Sequence, residues 1–214
     1  IKNPLTPIQL TIDRLKNKYS EQLTDKDKDN FKENLKIINN QINQIEKLVN
    51  EFSDFARMPK PIFQKNDLVN LLKENIKLLQ ELDNTIDITI ENNLQKIILE
   101  SDKEQLSRVF LNLIKNSIES IHQKIDKDSN ISKKIAIELN DNDDHINFTI
   151  IDTGVGFGNL KSNIKDILNP YFTTKKNGTG LGLSIVNKIV NDHNGNIEFI
   201  PINNGAKIKI LFKK

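Results

Sequence analysis

Apolar residues recur at alternating steps of three and four through Phe31, Leu35, Ile38, Ile42, Ile45, Leu48 (with Val49), Phe52 and Phe55. A stripe this narrow and this sustained predicts a helix that packs along a bundle or coiled-coil seam, not one lying on a globule. Leu5, Ile8, Ile12 and Leu15 mark a shorter helix ahead of it, which reaches Tyr19-Ser20, and the polar stretch Glu21–Asp29 supplies the turn. A two-helix hairpin cannot cover both stripes by itself. It must pack on the remainder of its own chain or pair with a second copy into a four-helix bundle, and the seam favours the pairing. Pro59-Lys-Pro61 ends the pattern, because proline removes an N–H and restricts the residue before it.

Beyond that break the period changes repeatedly. A helix is predicted over Asp67–Leu82, a strand over Thr85–Glu91 and a short strand over Lys96–Leu99. The next helix is read from Ser101 as N-cap, with Glu104 completing a capping box, to about Ile125. Lys133–Leu139 and His145–Ile151 alternate as antiparallel strands about the Asn140–Asp144 turn. Residues 157–177 carry little regular signal. A helix over Thr179–Asp192 follows, then strands Asn196–Ile200 and Ala206–Phe212 across an Asn-Asn-Gly turn. The expected class is α+β: a two-helix hairpin (1–58), a linker (59–66) and an α/β sandwich (67–214) with a mixed, mostly antiparallel sheet and one layer of each element.

Composition narrows the partners. The 214 residues carry 31 basic and 29 acidic side chains, a net charge of +2, which argues against a nucleic-acid footprint. There is no cysteine, so disulfides and thiolate metal sites are excluded, in keeping with a cytoplasmic location. No apolar run reaches membrane-spanning length and no signal peptide is visible, so no membrane contact is expected from these residues. The chain starts in mid-pattern at Ile1, without Met, and reads as a piece of a longer protein whose upstream part suits a membrane sensor.

Six of the eight glycines fall in two clusters, Asp152-Thr-Gly-Val-Gly-Phe-Gly158 and Gly178-Thr-Gly-Leu-Gly-Leu183. The second opens a helix, and a glycine-rich turn running into a helix N-terminus is a ready phosphate site. A bound nucleotide is the natural expectation. On the Ser101–Ile125 helix, Asn112 and Asn116 are four apart and share a face. They read as two solvent-facing polar residues or as oxygen ligands of Mg²⁺ beside phosphates. Asp152 ends a strand just before Gly154 and Gly156, where it suits a plain turn exit or the acceptance of an adenine amine. Thr173-Thr-Lys175 is a surface loop or a cluster of two hydroxyls and a cation for phosphate oxygens.

Their order decides. Asn112-Leu-Ile-Lys-Asn116, Asp152-x-Gly-x-Gly156, Pro170-Tyr-Phe-Thr-Thr-Lys175 and Gly178-Thr-Gly-Leu-Gly-Leu183 resemble the N, G1, F and G2 boxes of sensor histidine kinases. These share an ATP-binding fold with gyrase, Hsp90 and MutL. Residues 1–58 resemble the dimerisation and phosphoacceptor hairpin of the same kinases. The opening Ile1-Lys-Asn-Pro-Leu-Thr-Pro-Ile8 and Asp54-Phe-Ala-Arg-Met-Pro-Lys-Pro61 look most like the nitrogen-regulation subgroup.

The resemblance implies ATP and Mg²⁺ as cofactors, a homodimer through residues 1–58 and a response-regulator receiver domain as partner. It implies that Asp152 binds the adenine amine in a pocket shaped by Gly154 and Gly156. Asn116 would ligate Mg²⁺, and Asn112 would support the metal or phosphates. Residues 157–177 would be a mobile lid. Thr173, Thr174 and Lys175 would meet the phosphates, with Lys175 neutralising the γ-phosphate. Gly178, Thr179, Gly180, Leu181, Gly182 and Leu183 would cradle them. In the family the phosphorylated His directly precedes the segment matching Ile1. His122, His145 and His193 match no such position and read as ordinary residues. Asn3 stands where the family orients water against a regulator's phosphoaspartate, a role that admits phosphatase action, although Asn3-Pro4 is also a plain helix start. Glu119 stands where many relatives carry a phosphate-directed Lys, which leaves Lys175, with Lys115 or Lys176, as the cation. Two alternatives remain, an ATP-hydrolysing clamp of the gyrase, Hsp90 or MutL type and a non-catalytic nucleotide-binding scaffold. The clamp is disfavoured because such ATPases place a Glu base where this chain has Asn112.

Overall fold

The computed structural model describes residues 5–20, 22–91, 96–126, 131–157, 164–175 and 178–214. They form two compact units, the first of the two N-terminal helices with Thr174–Thr179 and the second of the remainder from Pro59 onward.

In the first unit, α1 (Thr6–Tyr19) and α2 (Asp25–Ala56) form the hairpin. The connection is shorter than the polar stretch Glu21–Asp29 suggested. Thr24 takes an extended conformation as N-cap and its hydroxyl bonds Asp27, so the helix begins inside that stretch. Ile12, Leu35 and Ile42 bury one another, with Leu5 and Phe31 packed beside them. The rest of the seam stays open: Ile38, Ile45 and Phe52 are 44%, 49% and 46% exposed.

The second unit is a helical layer on a sheet. Its elements are β1 (Gln64–Asp67), α3 (Leu68–Leu82), β2 (Asp87–Glu91), β3 (Ile98–Ser101), α4 (Lys103–Ile125), β4 (Lys134–Asp141), β5 (His145–Asp152), α5 (Gly182–Asp192), β6 (Asn196–Pro201) and β7 (Ala206–Lys213). The five-stranded sheet runs β2-β4-β5-β7-β6, parallel between β2 and β4 and antiparallel elsewhere, which gives the expected mixed, mostly antiparallel sandwich. Register aligns the apolar faces: Ile137 opposes Ile150, which opposes Ile208, and Phe148 opposes Ile210. On that face lies α4, with Leu106, Val109, Phe110, Leu113 and Ile114 fully buried and the Phe110 ring 5.0 Å from that of Phe148. Each such side chain contributes about 1.5–3 kcal/mol on burial. Between α3 and α4, Ser107 donates to the buried Asn75 at 2.6 Å.

Three departures from the sequence reading in this unit follow from strand pairing and backbone geometry. Gln64–Asp67 lies at the end of the segment taken as linker, yet it is a strand, antiparallel to β3. Four polar residues carry no alternation of their own, so their partner strand sets their conformation. Pairing also claims Ser101, which closes β3 opposite Gln64 instead of capping α4. Asp102 is the cap, its Oδ1 accepting the Gln105 N–H at 3.0 Å. Finally, α5 starts at Gly182 and not at Thr179, because Gly180 has a φ of 70°, outside the helical region.

Asp102 ties several segments together. Its Oδ2 accepts the Ile62 N–H at 2.8 Å, and its own N–H donates to His193 Nε2 at 3.0 Å. Gln105 Nε2 donates to the Pro59 carbonyl at 3.0 Å, and the Phe63 ring tilts against the His193 ring at 5.1 Å. Of the three histidines, His193 thus joins two helix ends, His122 pairs with Asp83 at 2.6 Å and His145 bonds Asn142 at 3.2 Å. Burial works against ionisation of the Asp102 carboxyl, but the N–H groups of Ile62, Gln105 and Glu104 outweigh it and hold it below the ordinary range. Asp102→Ala is therefore expected to lower the urea stability of this unit by about 1–2 kcal/mol at neutral pH. With the native-state value depressed, the carboxylate stabilises fully above the unfolded value of about 3.9, and the gap between wild type and variant closes as pH falls through the native value.

Candidate functional site

The site lies where β5 leaves the sheet beneath α4. Asp152, the last residue of β5, is 4% exposed, flanked in register by Ile135 on β4 and Ala206 on β7. A carboxylate there must be held by donors, since burial alone disfavours its charged form. Its Oδ1 accepts the Gly154 N–H at 2.9 Å and the Ala206 N–H at 3.3 Å, and its Oδ2 accepts the Ser117 hydroxyl at 3.0 Å. Burial pushes the carboxyl above its ordinary range, with Gly154, Ser117, Ala206 and the Lys124 charge pulling back against it. Lys124 Nζ also donates to the Thr153 carbonyl at 2.9 Å, and Ser120 Oγ accepts the Val155 N–H at 3.1 Å. The turn after β5 is thus fastened to α4 at each step.

Gly154 is there for want of space. A Cβ on it would lie 2.2 Å from Ser120 Oγ and 2.7 Å from the Ser120 backbone carbon. Gly156 lies against Gly205 in the β6–β7 turn.

Asn112 and Asn116 project from α4 toward the start of α5. Asn112 Nδ2 donates to the Arg108 carbonyl at 2.8 Å, which leaves its Oδ1 directed away from the helix backbone. A Cβ on Gly182 would sit 3.2 Å from that Oδ1 and 3.9 Å from Asn116 Nδ2. The first N–H groups of α5 have no intrahelical acceptor, so amide oxygens and helix-end donors share one corner, a donor set that suits a metal-bound phosphate. Among the described residues no group of three or more His, Cys, Asp or Glu could hold a metal. At the base of the intervening segment, the Tyr171 N–H donates to the Gly180 carbonyl at 3.1 Å.

The structure therefore brings together Asn112, Asn116, Asp152, Gly154, Gly156, Gly180, Leu181, Gly182 and Leu183 in the second unit. Thr173 lies exposed at that unit's edge. Thr174, Lys175, Gly178 and Thr179 group instead with the helical unit, where the Thr179 hydroxyl donates to Glu51 of α2. Asn3, and with it Gly158 and Lys176, lies outside the described residues, as does much of the segment 157–177 read as a lid. Sequence reasoning missed Ser117, Ser120 and Lys124. A signal was there: Ser117 interrupts the apolar face Leu113, Ile114, Ile118, Ile121 at a core position.

A strand-end carboxylate beside paired asparagines and a glycine-opened helix, under one helical layer, defines an ATP-binding sandwich. The chain belongs to the histidine kinase-, DNA gyrase B- and HSP90-like ATPase family, whose model matches residues 101–214. Ahead of it, residues 1–61 match the His Kinase A (phospho-acceptor) domain, which puts the chain with the histidine kinases of that family. It is 34% identical over 216 residues to the nitrogen regulation protein NtrY of Azorhizobium caulinodans, covering 100% of this chain and 27% of that protein. The chain spans 27% to 34% of the length of its NtrY and NtrY-like relatives. Among solved structures, the catalytic domain of histidine kinase ThkA is 27% identical with a TM-score of 0.59, over 72% of this chain and 96% of that one. Histidine kinase ThkA in complex with the response regulator TrrA has the same fold, with a TM-score of 0.69 at 22% identity over 97% of this chain and 57% of that chain. No described helix is long and apolar enough to cross a membrane.

Two glycines separate packing from binding. Gly154→Ala meets backbone and is expected to cost at least about 1–3 kcal/mol in thermal or urea unfolding. Gly182→Ala, at the first turn of a helix and facing only the Asn112 and Asn116 side chains, is expected to unfold within about 1 kcal/mol of wild type while weakening nucleotide binding measured by fluorescence.

Proposed function

We propose that this chain is the catalytic core of a two-component sensor histidine kinase. It binds ATP with Mg²⁺, directs the γ-phosphoryl group to a histidine ahead of Ile1, and serves relay to an aspartate of a response-regulator receiver domain. The carrying observation is the buried Asp152 carboxylate at the strand end, its Oδ1 filled by backbone donors and its Oδ2 bonded to Ser117.

Bound Mg-ATP supplies the phosphoryl group and the cation that neutralises it. Asp152 accepts the exocyclic amine of adenine, and Gly154 and Gly156 let the ring lie on backbone. Asn116 offers its amide oxygen to the metal, and Asn112 supports metal or phosphate. The α5 N-terminus with Gly180, Leu181, Gly182 and Leu183 receives the phosphates, and the family resemblance assigns Thr173, Thr174, Lys175, Gly178 and Thr179 to them as well. Phosphoryl transfer of this kind rests on positioning and charge neutralisation. Asn112 supports the kinase reading over a hydrolytic clamp, because an amide takes no proton from water. Asn3 is assigned to orienting water on the partner's phosphoaspartate.

The response regulator is proposed on the His Kinase A match and on the ThkA–TrrA complex. The homodimer is supported by the open apolar seam of α2. The kinase core is assigned to the cytoplasm, and its parent to a membrane sensor.

Three experiments test this. A fluorescent ATP analogue with Mg²⁺ should bind the chain, and Asp152→Ala should weaken it by at least about tenfold; in a chain carrying the residues ahead of Ile1, labelled ATP should leave an acid-labile, base-stable label. Absence of binding or of that label refutes the kinase. Sedimentation should give a dimer at micromolar concentration, and Ile38→Glu with Ile45→Glu should give a folded monomer by helical circular dichroism. A monomeric wild type would remove the bundle.

A further inference from the structure

We propose that Ser117 is a positioning residue for nucleobase recognition: its hydroxyl fixes the Asp152 carboxylate so that one lone pair of Oδ2 stays aimed at the exocyclic amine of the base. This rests on the proposed adenine role of Asp152.

An ionised carboxylate has about four acceptor sites. On Asp152, Oδ1 takes the Gly154 and Ala206 N–H groups, and Oδ2 takes Ser117 Oγ at 3.0 Å. That occupancy leaves one direction on Oδ2 for a ligand donor. Without Ser117, Oδ2 would lose its hydrogen-bond donor, and the Oδ1 bonds alone would orient the carboxylate. Mid-helix serines commonly donate to the carbonyl four residues back. Ser117, 2% exposed, instead spends its proton on the carboxylate, where the bond is charge-assisted. Its position in the apolar face of α4 makes that proton costly to bury without an acceptor.

The groups around Asp152 are few. From α4 come Ser117 and Lys124, the latter bonded to the Thr153 carbonyl. In register on β4 and β7 stand Ile135 and Ala206, neither of which ionises. Donation from Ser117 favours the charged carboxylate against a burial that raises its pKa. Loss of that hydroxyl therefore raises it further. An acceptor needed in ionised form is then lost at higher pH.

The test compares ATP with the purine riboside triphosphate that lacks only the 6-amino group, both with Mg²⁺, by calorimetric titration between pH 5 and 8 (a range of about three units around the histidine region). Ser117→Ala should weaken ATP about tenfold and the amine-free analogue less than about twofold, and should move the acid limb of ATP binding to higher pH. Ser117→Cys, of similar size with a weaker donor, should fall between. Thermal unfolding without nucleotide checks that each variant is folded. If wild type fails to prefer ATP over the analogue, the amine-acceptor reading of Asp152 falls and takes this inference with it. If wild type prefers ATP and Ser117→Ala keeps both preference and pH limb, Ser117 is not the positioning residue while Asp152 stands. Equal weakening of both ligands would make Ser117 a packing residue and overturn the inference.

Discussion

Burying a carboxylate costs several kcal/mol unless donors replace its water, and Asp152 draws its donors from three segments far apart in sequence. Ser117 belongs to α4, Gly154 to the turn after β5, and Ala206 to the first position of β7. The bonds form only if α4 lies over β5, if β7 pairs with β5 in its observed register, and if the turn folds back under the helix. A one-residue slip of β7 would take the Ala206 N–H away from Oδ1 and turn its apolar residues to the other face together. The local demand of one side chain and the global topology of the sheet therefore select the same register, a consistency that marks a well-specified fold.

Much of this was legible in the order of residues, and the failures have physical causes. Periodicity found α3, β4, β5, β6 and β7 because each buries a regular face against the same core. It misplaced the start of α4, since Ser101 and Asp102 are both good caps and only the pairing of Ser101 with Gln64 decides between them. It passed over β1, whose Gln-Lys-Asn-Asp sequence has no pattern and takes its form from β3. At the site, Asn112, Asn116 and Asp152 were readable as unusual polar residues at fixed spacing. Ser117 showed only as a polar break in the apolar face of α4, and its role waits on its acceptor, which is 35 residues away.

The two units obtain stability in different ways. The sheet unit closes its core within itself, with Leu68, Leu72, Phe110, Phe148 and Phe212 essentially excluded from water. The hairpin does not. Ile12, Leu35 and Ile42 are buried between the helices, while Ile38, Ile45, Leu48, Val49 and Phe52 on the same helix remain exposed. A contiguous apolar seam of this kind belongs to an interface, since monomeric surfaces seldom keep one. The heptad pattern that predicts the helix also predicts that two helices do not suffice for it.

Position 112 then limits what the ATP site can do. Its side chain is an amide already committed through Nδ2 to the Arg108 carbonyl, with only an oxygen left to face α5. An amide oxygen can ligate a cation or accept a hydrogen bond, but it cannot remove a proton from water. Asp152 has three of its acceptor directions taken by Gly154, Ala206 and Ser117, and its burial suits recognition of a neutral donor more than proton transfer at a phosphate. Asn112 and Asn116, the side chains that α4 turns toward the start of α5, are amides and not bases, which suits alignment and charge neutralisation. On the proposed kinase reading, the nucleophile comes from outside this corner, from the phosphoacceptor histidine.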